Sequence, residues 1–153
     1  MKELTAALLS SKLKVLKNRG TENNLVGVPK TLFQLDAGTQ VVVLELGTSL
    51  PGEIERLSWI ARPQIGVLTQ IGHSHLEGLK DLAGIREEKL KLLKNLERGG
   101  TLLVNGQDPQ LAQVQSGVHR IIRVGLDPKS ADVSAQQLWS HEQGTSFLLN
   151  GRD

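Results

Sequence analysis

Val41-Val42-Val43-Leu44 is a run of four apolar residues with no polar alternate, and it constrains the fold more than any other feature. A strand with one wet face alternates. An unbroken run fits a strand covered on both faces, as in a parallel sheet. Further segments that read as strands follow at Ile65 to Ile71, Thr101 to Val104 and His119 to Val124. Segments of helical length lie between them. One runs from Gly52 to Ile60 and stops before Arg62-Pro63. A second runs from Leu82 to Leu96 and meets Gly99-Gly100. A third starts at Asp108 as cap, with Pro109 at its first position, and reaches about Val114. This alternation implies right-handed crossovers, and so an α/β fold in three layers, a mostly parallel sheet flanked by helices.

Upstream, Leu4, Ala7, Leu8 and Val15 form a helical stripe, which predicts a helix over residues 2–17 that fades by Gly20. A short helix from Lys30 to Leu35 is expected after Pro29. Downstream of residue 125 the pattern is less regular and suggests two antiparallel strands turning at Gln143-Gly144. The chain thus reads as one domain, with a parallel part over 2–125 and a β-rich tail over 126–153.

With 153 residues, 39% of them hydrophobic and only 3% aromatic, the core must be built from Leu, Val and Ile. A net charge of +2 without a basic run among aromatics argues against nucleic acid. The lack of cysteine excludes disulfides and thiolate metal sites. Charges scattered through the first 17 residues leave no run long enough for a signal peptide or a membrane span. A cytoplasmic protein without membrane contact is the expectation.

Ligands of open parallel sheets bind outside the carboxyl ends of the strands. Three such ends carry chemistry here: Glu45, followed by Gly47 and Thr48; His73 and His75; and Asn105. Glu45 is either a solvated or ion-paired strand end, or a ligand. Lys89 lies in the middle of the apolar stripe Leu82, Ile85, Leu92, Leu93 and Leu96. Such a lysine either snorkels to water or has a depressed pKa. In the second case its neutral amine can add carbon dioxide to form a carbamate, an oxygen ligand for Mg²⁺. Glu45, a histidine and an anionic Lys89 then form a set that suits Mg²⁺ or Mn²⁺. A zinc protease fits less well, because the two histidines lack the helical spacing of HExxH. Ser74 has no nucleophile elbow around it.

Five segments in register resemble the ATP-binding central domain of the Mur ligase family. They are KELTAALLSSKLKVLK, NRGTENNLVGVPKTL (18–32), VVVLELGTSLPGEIERL (41–57), PQIGVLTQIGHSHLEGLKDLAGIREEKLKLL (63–93) and GGTLLVNGQDPQL (99–111). The NN…GVP…TL pattern is similar to the members that add D-alanyl-D-alanine to UDP-N-acetylmuramoyl-tripeptide. The resemblance implies a P-loop NTPase-like sheet and ATP as a substrate. It also implies Mg²⁺ held by Glu45, His75 and carbamoylated Lys89. Asn23 and Asn24 would lie near the transferred phosphate and the acceptor, Thr48 beside the nucleotide or substrate, and Asn105 and Asp108 near the adenine. UDP-N-acetylmuramoyl-peptide and D-alanyl-D-alanine would be the partners of the full enzyme.

Some residues depart from the family pattern. Gln70 stands where asparagine is usual, His73 where a proline or small residue is usual, and Gln107 where an acidic residue is expected, which leaves Asp108. No G-x-x-G-K-[ST] occurs in the sequence, and the resemblance places that loop just before Lys2. The expectation is therefore a ligase piece without turnover of its own. The alternatives are a non-catalytic remnant or interaction module that self-associates through an exposed edge or apolar face, and a piece of a sister ligase such as folylpolyglutamate synthase or another Mur enzyme.

Overall fold

Two separate sheets, not one, carry the strands in the computed structural model, which describes residues 1–72 and 79–151. The elements in chain order are α1 (Lys2–Ser10), β1 (Val15–Lys17), α2 (Gly27–Leu32), β2 (Val41–Val43), α3 (Glu53–Ala61) and β3 (Ile65–Leu68). Then follow α4 (Leu82–Leu90), α5 (Leu92–Asn95), β4 (Thr101–Asn105), β5 (Arg120–Gly125), β6 (Val133–His141) and β7 (Gly144–Gly151). β1 and β2 pair in parallel, with Val15 opposite Val41. The larger sheet has the order β3-β4-β5-β6-β7. Its first three pairings are parallel and β6–β7 is antiparallel. The mostly parallel α/β fold flanked by helices, with antiparallel strands at its C-terminal end, matches the expectation.

Several boundaries differ. The stripe over 2–17 predicts one helix, but α1 ends at Ser10 and the chain turns into β1. The Lys14 carbonyl accepts from Gln40 and Val41 amides at 3.0 and 3.3 Å, so pairing with β2 wins over helix continuation. The inward face of α1 also differs, since Lys2 and Ala6 are buried while Leu4 and Leu8 are 63% and 67% exposed. Leu82 to Leu96 is two helices with a break at Lys91. Residues 108–114 form successive turns, not a helix; Asp108 accepts locally from Gln110 N–H and, with its other oxygen, from Ile71 N–H beyond β3. The tail hairpin turns at Glu142-Gln143, one residue earlier than read. Its bulge between Gln136 and Trp139 includes Gln137 at φ 48°.

The core sits on one face of the larger sheet, where Leu68, Leu102 and Val104 meet Ile54 of α3, Leu92 and Leu96 around α5, and Leu111 and Val114. Each such side chain contributes roughly 1.5–3 kcal/mol on burial. Gly66 permits the approach: a Cβ there would lie 2.8 Å from Leu92 Cδ2 and 2.9 Å from Leu102 Cδ1. The opposite face is open on β3, where Ile65 and Val67 remain 63% and 49% exposed. The expectation of strands covered on both faces therefore fails for β3 within these residues. The helices that the chain supplies lie on the other side of it.

Candidate functional site

Four of the predicted site residues lie at the carboxyl ends of the smaller sheet or in the loops that leave it. β1 ends at Lys17 and β2 at Val43. The next residue after Lys17 is Asn18, fully buried. Its amide nitrogen donates to the Glu22 carbonyl at 2.8 Å and the Glu45 carbonyl at 3.1 Å, while its amide oxygen accepts from Glu45 N–H at 2.9 Å. Asn18 thus fixes the backbone of Glu45 across two strands. The Glu45 carboxylate is held separately. Its Oε1 accepts from Asn23 Nδ2 at 2.9 Å, and its Oε2 lies 3.9 Å from Lys2 Nζ.

Lys2 is an unusual partner, because its side chain is only 6% exposed. Buried ammonium groups require anions or carbonyls. Lys2 finds the Gly20 carbonyl at 2.7 Å, Glu3 at 3.5 Å and Glu45. Glu3 also pairs with Lys17, which holds the Glu3 carboxyl below its usual value. Glu45 itself stays 49% exposed at its side chain, an oxygen donor facing water on a fixed backbone. Gly47 completes the brace. Its N–H donates to Asn23 O at 2.8 Å, and a Cβ at that position would meet the Asn23 side chain at 2.6 Å.

Other predicted residues have local tasks. Asn24 Oδ1 accepts from Val26 and Gly27 amides and so opens α2. Thr48 Oγ1 donates to the Leu50 carbonyl at 2.9 Å. Glu53 gathers the Ser49 and Leu50 amides, and these two bonds hold its carboxyl below the ordinary range. Asn105 Oδ1 accepts from Gln107 N–H and closes the turn after β4.

A second cluster gathers beyond β3. Lys89 Nζ donates to Gln70 O at 2.8 Å, and Asp108 Oδ2 accepts from Ile71 N at 2.7 Å. One peptide unit is therefore gripped from a helix on one side and from the β4 loop on the other. Burial lowers the Lys89 ammonium pKa, and the nearby Asp108 charge offsets part of that. Lys89 is half-buried on the edge of the inward face, whose centre is Ile85, Glu88 and Leu92. The stripe reading of Lys89 is thus correct in kind, one position off the middle.

Glu45 and Lys89 share no hydrogen-bond partner, and among the described residues no group of three or more His, Asp or Glu is arranged to hold a metal ion. His73, His75 and Glu77 lie outside the described residues. What the geometry offers a cation is one exposed, backbone-fixed carboxylate at a strand end. That fits Mg²⁺, which keeps several waters and takes one or two protein carboxylates.

Reasoning from sequence missed Asn18 and Lys2. Asn18 reads as a helix end and Lys2 as a solvated charge, since their partners are 27 and 18 residues away.

The sequence matches the family described as the Mur ligase middle domain over residues 1–152. The UDP-N-acetylmuramoyl-tripeptide–D-alanyl-D-alanine ligase of Bacillus subtilis is 34% identical over 150 residues, covering 98% of this chain and 32% of that protein. The ligase of the same name from Escherichia coli is 31% identical over 97% of this chain and 33% of its own length. Among solved structures, the MurF ligase of Thermotoga maritima in complex with ADP superposes with a TM-score of 0.86 at 27% identity, covering 98% of this chain and 35% of that one. MurF from Acinetobacter baumannii gives 0.84 at 29%, over 99% of this chain and 35% of its own. The chain spans about a third of the length of the curated relatives it matches.

Proposed function

This chain belongs to the Mur ligase family, and from that premise we propose that it forms the catalytic middle of an ATP-dependent amide ligase of peptidoglycan precursor synthesis. The reaction joins D-alanyl-D-alanine to UDP-N-acetylmuramoyl-tripeptide in the cytoplasm. The observation that carries this reading is the 34% identity across 98% of the chain to a ligase of that name. Likeness to a diaminopimelate ligase and a folylpolyglutamate synthase, at 21% and 15% identity, extends to fold alone. That favours the D-alanyl-D-alanine enzyme over its sisters.

In this reading the substrate carboxylate attacks the γ-phosphorus of ATP and ADP leaves. The incoming amine then attacks the acyl phosphate carbonyl, loses a proton and expels phosphate. Bound Mg²⁺ would neutralise charge on the phosphoryl oxygens. Glu45, His75 and Lys89 as a carbamate would hold it. The chain's own residues do the positioning. Asn18 fixes the Glu45 backbone, and Asn23 orients its carboxylate while standing near the transferred phosphate. Asn24 and Thr48 shape the loops on either side of the acceptor. Asn105 and Asp108 set the strand end assigned to adenine. The half-buried Lys89 amine, its pKa lowered by burial, is the nucleophile that adds carbon dioxide.

The test is a chimera in which these residues replace the matched third of the Bacillus subtilis enzyme. It should release phosphate from ATP only when both UDP-N-acetylmuramoyl-tripeptide and D-alanyl-D-alanine are present. E45Q should lower kcat by roughly 10²–10³-fold. A folded chimera without D-alanyl-D-alanine-dependent turnover overturns the proposal. The 153 residues alone contain no G-x-x-G-K-[ST]. They are accordingly proposed to give no ligation.

A further inference from the structure

Glu88 neighbours the candidate lysine, and its carboxylate is turned to the start of α3. Its side chain is 1% exposed, and a carboxylate so deeply buried demands compensation. Three donors supply it. Oε2 accepts from Gly52 N–H at 2.8 Å, Oε1 from Ile54 N–H at 2.9 Å, and Lys91 Nζ pairs at 2.8 Å. Gly52 and Ile54 flank the first residue of α3, so a carboxylate on α4 caps a helix 34 residues upstream. No side chain of α3's own N-cap residue does so, because that residue is Gly52, in the left-handed region at φ 92°.

The cap matters because of what each end of the bond leads to. From Gly52 the chain runs back through a loop pinned by Glu53 at Ser49 and Leu50, and by Asn23 at Gly47, to Glu45. From Glu88 the next residue is Lys89, held at Gln70. Among the described residues, the hydrogen bonds between this loop and α4 are those that Glu88 accepts, and Leu46 adds apolar packing against the core.

Resting on the functional reading above, we infer that Glu88 is a positioning residue that couples the Glu45 loop to the Lys89 helix, so that the two proposed ligands keep a fixed separation. Groups that orient ligands without touching the metal commonly change affinity 10–100-fold when removed.

The experiment uses the 153-residue chain with Mn²⁺ as probe, read by electron paramagnetic resonance, together with amide hydrogen exchange at Gly52 and Ile54. E88A should speed exchange at these two amides and weaken Mn²⁺ binding about tenfold. E88Q, which keeps shape and one acceptor oxygen, should lie between wild type and E88A, and stands in if E88A does not fold. K91M removes the ion pair but leaves both caps, and should alter neither readout. Faster exchange in E88A or E88Q with unchanged Mn²⁺ affinity makes Glu88 merely structural and overturns the inference. A wild-type chain that binds no Mn²⁺, while exchange still responds at Gly52 and Ile54, sinks the functional reading and the role built on it. Slow exchange at both amides in E88A overturns the cap itself.

Discussion

Glu45 and Lys89 occupy comparable places, each serving the carboxyl end of a parallel strand, but the fold braces them very differently. Glu45 is fixed at its backbone by two hydrogen bonds from Asn18 and at its carboxylate by Asn23 and Lys2. Among the described residues, Lys89 has one hydrogen bond, to the Gln70 carbonyl, and the Asp108 charge nearby. A carboxylate needs nothing done to it before it binds a cation, so rigidity serves it. An amine proposed as a carbamate ligand must first react with carbon dioxide, and a half-buried amine with its pKa lowered by burial is suited to that.

Breaking the stronger side should cost most. N18A removes a fully buried side chain and leaves the part-buried Glu45 N–H and carbonyl without their partner, and should destabilise the chain by about 2–3 kcal/mol in urea unfolding. A loss below about 0.5 kcal/mol would mean that Asn18 braces nothing.

The link between the two sides should respond to acid. Burial pushes the Glu88 carboxyl up, but the Gly52 and Ile54 amides and Lys91 outweigh it, so the folded value lies below the ordinary 4.5. A carboxyl depressed on folding contributes its full stability above pH 4.5 and loses it as pH falls through the folded value. Urea midpoints measured across that range should fall more steeply for wild type than for E88Q. Parallel acid limbs would show that Glu88 titrates alike in both states.

The weaker side should show the smallest stability effect. K89M should shift unfolding by no more than about 0.5 kcal/mol, since it removes one exposed hydrogen bond and keeps the stem. Its signature is chemical instead. In ¹³C-bicarbonate the wild-type chain should give a carbamate carbonyl resonance that K89M lacks, and the same resonance in both proteins would assign it elsewhere.

Much of this was readable in the sequence where the signal is local. The segments at 41–44, 65–71, 101–104 and 119–124 each hold a strand, and Glu45 follows the end of β2. Lys89 stood out because its charge interrupts a helical stripe. What stayed hidden depends on distant pairing. Val15–Lys17 continues a helical stripe on paper, and only β2, 26 positions later in register, turns it into a strand. Lys2 and Glu88 read as ordinary surface charges because the carbonyl and amides that compensate their burial come from other elements. The uncovered side of β3 was illegible for a different reason: an apolar run predicts that a face prefers cover, not which segment provides it.

The division of the strands into two sheets carries a mechanical consequence. Among the described residues no ladder joins β1–β2 to β3–β7, so cohesion between them rests on helix packing, the capping carboxylate and Leu46 against the core. Cooperative opening follows such seams. The seam between the sheets is therefore where opening is expected to begin, with Leu46 withdrawing from the Leu68–Leu102–Val104 core as the Glu45 side loosens.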